Sequence, residues 1–597
     1  MKRKVWLLLC GWMIASLVLA ACGGTPTPSP SPTAAPPATQ APAAPTPAPT
    51  PTPAPAAVVY PREETLYTSG TQWGPPSNWN PLQPGTHAMG TIGLCYETLF
   101  LYNPLKNEYI PWLAESGNWT SDKVYELKLR KGITWADGKP MTAQDVAYTF
   151  ELGKLDGVYY KPLWDYLEKV EAVDEVTARF TFKEVHHQAW SNLLYSVAIV
   201  PKHAWEGRSA QEIVNGQNVP PLCSGPYLYE AHSEDRVVWK RNDNWWGIKL
   251  LGKSVAPRYI VDVVNPSNNV ALGLVLKGEV DLSNNFLPGI ATLVQGGYGI
   301  KTWYDKPPFM LAANTAFLFM NLKKKPMDDA NFRKALAYAI NVDEIVNRVY
   351  GNIVQKANPT GLLPVWERFV DQGVVQQLGF SYDPNRAKQI LAQAGYKDVN
   401  GDGFVEAPDG SPIQLKVIVP NGWTDWMEAA RVIASSAQAI GINLQADFPD
   451  FGAYWDQLTG GTFDTAINNF GSQMSNTPWT FYQWLFRHPI TDKMSDGNFG
   501  RYANQQVFDL VDELDRVPVT DEDRMKQVIA QIQRIQLQEM PAIPLWYNGL
   551  WAQWNTTYWT GWPSAAEGAP KYPPSTWRGY WNMGAILMLT ELKPAKK

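Results

Sequence analysis

The feature that most limits how this chain can fold is a proline-rich stretch at residues 25–57. Thirteen of its 33 residues are Pro, and none is charged. A segment of this composition cannot bury a core and extends as polyproline II, at about 3.1 Å per residue. It therefore predicts a tether with a reach of roughly 100 Å, and the folded body must form from the residues that follow it. Binding to a proline-recognising module is the alternative interpretation.

Residues 1–22 have the pattern of a secretory signal. A basic start at residues 2–4 precedes an apolar run at 5–21, which ends in small residues before Cys22. The run is near the lower length limit for crossing a bilayer, so a retained anchor helix is the alternative. Residues 19–22 resemble the bacterial lipobox, in which the Cys is lipidated and becomes residue one. We expect an extracytoplasmic protein, at the cell surface or in the periplasm, anchored to the cell membrane by acyl chains on Cys22.

Composition excludes several classes of protein. The chain is 45% hydrophobic, a fraction that is incompatible with wholesale disorder. Its 597 residues are too many for one ordinary hydrophobic core. Its net charge of −5 and pI near 5.8 argue against nucleic acid as a partner, because phosphate binding needs a basic face. After residue 57 the chain still holds 25 of its 27 Trp residues, more than folding alone requires.

Local patterns in the body indicate both strands and helices. Residues 124–130 alternate as a strand does, whereas residues 143–152 read as a helix capped by Thr142, with Asp145 completing a capping box. A long helix is predicted over residues 521–539. Strands and helices mix without a strict βαβ order, which predicts an α/β fold with mixed sheets.

Five ordered motifs carry a family resemblance. The segment LKLRKGITWADGKPMTAQDVAYTFE, at residues 127–151, resembles the signature of the family 5 extracellular solute-binding proteins, which serve ATP-binding-cassette (ABC) importers of peptides, nickel or oligosaccharides. Four further stretches match in the same order: SGPY at 224–227, RNDNWWG at 241–247, KGEVDL at 277–282 and FRKALAYAINVDEI at 332–345. The resemblance covers about residues 64–590.

The resemblance implies a periplasmic-binding-protein fold of type II, with two lobes that are joined by two crossovers and close on a solute. Lobe I is expected at residues 58–310 plus 546–597, with an extra subdomain near 104–205, and lobe II at 311–545. The implied protein is a monomer that delivers a small solute to ABC permease subunits and is not an enzyme.

One absence bears on the kind of solute. Peptide-binding members resemble each other in a lobe II segment whose Asp pairs with the peptide ammonium group. The corresponding segment here, residues 463–484, has no carboxylate after Asp464, and the next one is Asp492. It carries instead Asn468, Asn469 and Gln473, neutral groups suited to hydroxyls.

Clusters of Trp at loops and at the expected crossovers favour a sugar, because a flat ring covers the apolar face of a pyranose while amides bind its hydroxyl rim. We therefore expect an oligosaccharide, such as a cello- or manno-oligosaccharide, with an oligopeptide as the alternative; for each single Trp, packing in the core is the competing explanation. The residues expected to contact the solute are Trp73, Asn80, Trp423, Trp426, Asn468, Asn469, Gln473, Trp546, Asn548 and Trp551.

A secreted glycoside hydrolase is the remote alternative. It would need two acids about 5–10 Å apart across a groove. The six His residues show no HExxH or HxH spacing, and the chain has no Gly-x-Ser-x-Gly motif. These absences, with the family resemblance, favour a protein without catalytic activity.

Two further features concern covalent and metal bonds. Cys95 and Cys223 could form a disulfide in an oxidising compartment, and two buried free thiols are the alternative. The loop DVNGDGFVEAPD resembles the start of an EF-hand calcium loop. Its expected ligands are Asp398, Asn400, Asp402, Phe404 through its carbonyl, Glu406 and Asp409; an acidic hairpin turn is the alternative, and no other cofactor is expected.

Overall fold

The structure is a computed structural model that describes residues 59–70, 72–83, 87–469, 474–575 and 584–596. The predicted signal segment, the tether, the lipidation site Cys22 and the site residue Gln473 lie outside these ranges. Residues 60–597 form one compact unit. No helix within the described ranges is both long and apolar enough to cross a membrane.

The first large sheet is mixed and has seven strands. Its strand Thr65–Ser69 pairs in parallel with a strand on each side, whereas the remaining pairs are antiparallel. In spatial order the strands are Ile300–Thr302, Gln553–Asn555, Leu282–Ser283, Thr65–Ser69, Tyr259–Val263, Arg236–Arg241 and Tyr227–Ser233.

The second large sheet is also mixed and has six strands. In spatial order they are Gln355–Lys356, Ala542–Leu550, Leu311–Met320, Thr465–Asn468, Leu415–Ile418 and Leu444–Asp447. Along the strand Leu311–Met320, Leu318 and Met320 belong to one buried cluster while Phe317 and Phe319 belong to another. This alternation shows that both faces of the sheet are covered, as the apolar sequence AFLFM requires.

The chain passes from the first sheet to the second between Thr302 and Leu311 and returns between Leu550 and Gln553. The sequence places residues 546–550 in lobe I, but they pair within the second sheet, where Trp546 lies opposite Ala316. The reason is that the strand Ala542–Leu550 is buried at every position, so the paired and buried segment continues to Leu550. The return crossing is therefore only two residues long.

Within the predicted extra subdomain, four antiparallel strands form a third sheet in the order Ala114–Ser121, Val124–Leu129, Thr177–Phe182 and Leu167–Ala172. Two further antiparallel pairs complete the strands: Phe100–Asn103 with Glu108–Pro111, and Trp559–Thr560 with Lys593–Pro594. Together with the two large sheets, these elements are a mixed α/β architecture, as predicted.

Helices cover the sheets. Those of eight or more residues are Ala143–Leu152, His187–Ser196, Asn268–Leu276, Ala330–Ala339, Pro384–Gln393, Thr424–Gln438, Phe451–Gly460, Gln505–Arg516, Glu522–Glu539 and Gly584–Glu591. Shorter α-helices are Leu163–Tyr166, Lys202–Trp205, Ala210–Asn215, Trp246–Leu250, Ile290–Gln295, Val342–Glu344, Gln372–Leu378 and Trp479–Leu485, and short 3-10 or π turns are Arg62–Glu64, Ile345–Val349 and Pro364–Phe369.

The helix Ala143–Leu152 shows how local sequence sets an element. The Thr142 side chain accepts a hydrogen bond from the Gln144 N–H, and Asp145 accepts one from the Thr142 N–H, which completes the predicted capping box. The carboxylate of Asp145 also accepts a hydrogen bond from the Lys202 N–H. These hydrogen bonds show that this part of the motif stabilises the fold.

Candidate functional site

A cleft lies where strands of the two large sheets end. The first sheet contributes Gly70, which follows the strand Thr65–Ser69, and residues 284–286, which follow Leu282–Ser283; the second contributes residues 313–314 and 548–550. The cleft has an empty volume of about 760 Å³, including space open to solvent.

Four indoles form the apolar part of the cleft wall: Trp73, Trp423, Trp426 and Trp551. The rings of Trp73 and Trp423 are in contact, and Trp426 packs edge-on against Trp423 with ring centroids 4.9 Å apart. Trp426 is buried in the core, whereas the other three are half-buried. Three indoles therefore keep ring surface accessible from the cleft.

Trp551 is held by aromatic neighbours. Its ring lies edge-on to Phe286, with centroids 5.2 Å apart, and stacks nearly parallel to Tyr350 at 6.2 Å. The Trp551 carbonyl accepts a hydrogen bond from Asn284 Nδ2 (2.6 Å). Because Trp551 lies in the two-residue return crossing, the position of this ring depends on both sheets.

Six amides supply most of the polar lining: Asn268, Asn284, Asn285, Asn314, Asn469 and Asn548. Amide groups can donate and accept hydrogen bonds without carrying charge. Asn469 follows the strand Thr465–Asn468, and Asn548 accepts a hydrogen bond through Oδ1 from the indole of Trp546 (3.3 Å). The chemistry of the wall is therefore that of neutral hydrogen bonding next to flat aromatic surface.

Asp425 is the one ionisable residue among the described residues that line the cleft. It is buried at the start of the helix Thr424–Gln438, and its oxygens accept hydrogen bonds from Asn268 Nδ2 (3.0 Å) and the Tyr350 hydroxyl (3.0 Å). Burial raises the pKa of Asp425 to about 6, although these hydrogen bonds oppose the shift. No Lys, Arg or His lies on the described part of the wall, so a ligand carboxylate would lack a cationic partner there.

Three residues expected to contact the solute lie elsewhere. Asn80 is fully buried and donates to the carbonyls of Ile213 (2.7 Å) and Gly216 (3.1 Å), so it fixes a loop. Trp546 is fully buried against Tyr350, because its strand runs through the core. Asn468 is also fully buried within its strand and is not on the cleft wall.

Sequence reasoning missed four of the six cleft amides: Asn268, Asn284, Asn285 and Asn314. It also missed Asp425, although it singled out the neighbouring indoles. A signal was present, because the tripeptide Ser-Asn-Asn occurs twice, at 267–269 and 283–285, each time at or just after the end of a strand of the first sheet. Strand ends are where cleft residues gather in α/β folds.

Part of the Trp surplus is structural. The buried carboxylate of Glu97 accepts hydrogen bonds from the indole N–H groups of Trp112 (2.9 Å), Trp245 (3.3 Å) and Trp246 (2.8 Å). Burial raises the pKa of Glu97 to about 7, and the indole hydrogen bonds lower it in part. These three indoles stabilise a buried acid and are unavailable to a solute.

The two cysteines of the body are joined. Cys95 and Cys223 form a disulfide with an S–S distance of 2.09 Å, which links positions 128 residues apart in the sequence. Both residues are buried, and the Cys95 carbonyl also accepts backbone hydrogen bonds from Ser224 and Gly225. The bond therefore fastens the segment that carries Glu97 to the SGPY motif.

The acidic loop at residues 398–409 is closed by its own hydrogen bonds. Asp398 accepts from the N–H groups of Gly401 and Gly403, and Glu406 accepts from Asn400 Nδ2 (2.6 Å) and the Val399 N–H. Asp402 accepts from the Phe404 N–H, while Asp409 forms an ion pair with Lys325 at 3.1 Å. In the described part of the chain, no three His, Cys, Asp or Glu residues are grouped to hold a metal ion. In this structure the loop therefore has the geometry of the acidic turn, and calcium binding remains a prediction.

Comparison with known proteins gives a consistent family assignment. The sequence profile of the bacterial extracellular solute-binding proteins, family 5 (middle), matches residues 108–492. A similar solved structure is that of a periplasmic oligopeptide-binding protein of an oligopeptide ABC transporter from Thermotoga maritima, crystallised with mannohexaose. It is 45% identical with a TM-score of 0.86, and the match covers 90% of this chain and 100% of that one.

Other relatives bear names that refer to peptides. The probable peptide-binding protein YejA of Agrobacterium fabrum is 26% identical over 573 residues, which cover 86% of this chain and 89% of its own. The oligopeptide-binding protein AppA of Bacillus subtilis, solved with a nonapeptide, is 20% identical with a TM-score of 0.73, covering 89% of this chain and 99% of that one. At that identity the likeness to AppA concerns the fold alone.

Proposed function

The chain belongs to the family 5 bacterial extracellular solute-binding proteins, which bind a solute outside the cytoplasm for an ABC importer, and we propose that its solute is a short neutral oligosaccharide, such as a manno- or cello-oligosaccharide. Capture combines stacking on the indoles of the cleft with hydrogen bonds to its amides. Closure of the two lobes then presents the loaded protein to the permease.

The observation that carries this proposal is the composition of the cleft wall. Trp73, Trp423 and Trp551 offer accessible ring surface, and six Asn side chains surround them. A pyranose has an apolar C–H face and a rim of hydroxyls, each of which both donates and accepts hydrogen bonds. Such a ligand fits aromatic faces and amides without requiring a counter-charge.

A second candidate solute is an oligopeptide. The observation in its favour is Asp425, whose carboxylate could pair with a peptide ammonium group, and the relatives named for peptides support it. Against it, Asp425 already accepts two hydrogen bonds, and the described wall holds no cation for a peptide carboxylate. The mannohexaose bound to the 45% identical protein also favours the sugar.

The test is a thermal-shift screen of the full body, residues 58–597, with mannohexaose, cellohexaose and penta-alanine. A ligand at a hundredfold excess over its Kd stabilises the folded state by about 2.7 kcal/mol. We expect a raised Tm with at least one hexasaccharide and none with the peptide; the reverse result refutes the proposal. Chromatography of the sugar after a long incubation checks for hydrolysis, and we expect the hexasaccharide to remain intact.

We further propose that Cys22 carries the lipid that anchors the protein and that residues 23–57 hold the body away from the membrane. The lipobox-like sequence and the uncharged Pro-rich composition support this arrangement. The Cys22→Ala variant, expressed in a bacterium that processes lipoproteins, is expected in the soluble fraction, whereas the unaltered chain is expected with membranes. An equal distribution of the two chains contradicts the proposed anchor.

A further inference from the structure

Asn285 lines the cleft and has a buried amide donor that is not used. Its side chain is 1% exposed and lines the cleft, and among the described residues Nδ2 has no hydrogen-bond partner. Its orientation is fixed by Asn265: because Asn265 Oδ1 accepts from the Ser267 N–H, Asn265 Nδ2 must donate to Asn285 Oδ1, at 2.9 Å. Asn285 Oδ1 is thus engaged, and the amide N–H2 is left for a ligand.

Asn314 presents an unused acceptor from the other sheet. It lies in the strand Leu311–Met320, directly opposite Asn548 and next to an irregularity in the pairing between residues 312 and 314. The side chain lines the cleft, and its buried Oδ1 atom has no hydrogen-bond partner in the described structure. A buried carbonyl oxygen without a partner costs free energy, so a ligand that donates to it gains affinity.

We propose that Asn285 and Asn314 determine specificity by binding hydroxyl groups of the solute. One hydroxyl oxygen accepts a hydrogen bond from Asn285 Nδ2, and a hydroxyl proton is donated to Asn314 Oδ1. Since the two residues belong to different sheets, the solute links the sheets through these bonds. This inference rests on the proposed oligosaccharide and goes beyond it by naming the pair that senses hydroxyls.

The unused atoms also explain how such a site discriminates among solutes. An apolar group placed beside Asn285 and Asn314 would leave a donor and an acceptor buried without partners, which costs affinity. A hydroxylated chain satisfies both atoms. Indole faces alone would bind any flat or apolar ligand, so the amide pair adds selectivity for a hydroxylated solute.

Two substitutions remove the proposed interactions, and two others serve as controls. Asn285→Asp keeps the oxygen that accepts from Asn265 but replaces the donor with an acceptor, whereas Asn314→Leu removes the acceptor and keeps the branching at Cγ. Asn314→Asp retains an acceptor at the same place. Asn269→Asp adds the same charge as Asn285→Asp at an exposed position that does not line the cleft.

The measurement is isothermal titration of each folded variant with mannohexaose and cellohexaose, with circular dichroism and Tm recorded without ligand. We expect Asn285→Asp and Asn314→Leu to lower affinity about tenfold or more, and Asn314→Asp and Asn269→Asp to stay within about threefold of wild type. If Asn285→Asp does not fold, Asn314→Leu against Asn314→Asp still decides the question.

Two contrary results are distinguishable. Wild-type affinity in folded Asn314→Leu and Asn285→Asp overturns the role of the amide pair while leaving the oligosaccharide proposal in place. Failure of wild-type protein to bind either hexasaccharide, with binding of penta-alanine, overturns the proposed function and this inference together.

Discussion

The indole of Trp73 lies directly against that of Trp423, with ring centroids 5.1 Å apart and planes inclined by 41°. Trp73 follows a strand of the first sheet, and Trp423 precedes a helix that packs on the second. At this distance the two rings contact each other, so no sugar ring fits between them. A solute can therefore reach only the faces that these rings turn to the cleft, unless one of the two segments moves relative to the other.

Removal of a cleft indole should weaken sugar binding. We expect Trp423→Ala to lower the affinity for mannohexaose by about 1–3 kcal/mol, because it removes stacking area from the centre of the site. Titration calorimetry measures the change. Trp119→Ala is the matched control, since Trp119 is a half-buried indole of the four-stranded sheet outside the cleft. Equal losses in both variants would mean that Trp423 acts only through stability.

The effect of Asp425→Asn on binding should distinguish an oligosaccharide from an oligopeptide as the solute. A neutral oligosaccharide needs no carboxylate, so we expect the affinity for mannohexaose to change by less than about 1 kcal/mol. A peptide ammonium group would lose its only charged partner on the described wall, a loss of about 3–5 kcal/mol. Binding of both ligands to wild type and variant is measured at pH 7.5. Selective loss of sugar binding in Asp425→Asn would contradict the prediction.

The stability of the protein should depend on pH through its buried carboxyls. Burial raises the pKa of Asp262 to about 7, and its one hydrogen bond, from Thr68 Oγ1 (2.6 Å), opposes the shift only in part. Between about pH 4 and pH 7 the folded state keeps this proton, whereas the unfolded state releases it. The resulting contribution to stability is therefore fully present at low pH and is lost as the pH rises toward 7. Relative to Asp262→Asn, we therefore expect wild type to lose up to about 1.4 kcal/mol per pH unit across that window.

Urea unfolding at pH 4.5, 5.5, 6.5 and 7.5 measures this difference. The exposed Asp122→Asn is the control, and its curve should run parallel to that of wild type. A wild-type protein that gains stability relative to Asp262→Asn as the pH rises would have the opposite sign and would refute the assignment.

The disulfide should contribute substantially to stability. Cys95 and Cys223 close a loop with a sequence separation of 128, and a cross-link of this length restricts the unfolded chain strongly. We expect the double variant Cys95→Ala/Cys223→Ala to lose about 2–5 kcal/mol. Addition of dithiothreitol should lower the Tm of wild type and leave that of the double variant unchanged. Equal sensitivity of the two proteins to reductant would show that the bond contributes nothing.

Gly70→Ala should disturb the cleft through Asn285. Gly70 has a φ of +110°, and a Cβ atom there would lie 2.6 Å from both Asn285 Oδ1 and the Asn284 carbonyl carbon. We expect at least a tenfold loss of mannohexaose affinity, because the residues after Ser283 must shift. Gly138→Ala, also at positive φ but with open space around it and outside the cleft, controls for backbone strain. A variant of Gly70 with wild-type affinity would show that the cleft tolerates the shift.

Most of the fold could be predicted from local patterns. The helix over 521–539 is present as Glu522–Glu539 with Asp521 as its cap, because its apolar residues recur every three or four positions. The residues 331–350 also have the pattern of one continuous helix, but in the structure this helix is interrupted at Ile340, where extended backbone and a second cap at Asn341 divide it. The periodicity continues through the break, so sequence alone does not reveal it.

The candidate site could be predicted only in part. Trp73, Trp423 and Trp551 lie on the cleft because loops and crossings place them at strand ends, whereas Trp546 precedes the same crossing by a few residues and is buried in the core. The sequence does not distinguish a Trp that contacts a solute from a Trp that donates a hydrogen bond to Glu97. The paired strands and the residues opposite each other decide between these roles, and neither can be derived from one sequence.

Because the return crossing is so short, one residue takes part both in binding the solute and in joining the two sheets. Because Trp551 is one of only two residues between the sheets and also forms part of the binding wall, any replacement there changes the joint as well as the surface that the solute touches. Evolution toward a new solute through this position would therefore also reshape the joint between the sheets, so that solute preference and the geometry of the joint change together.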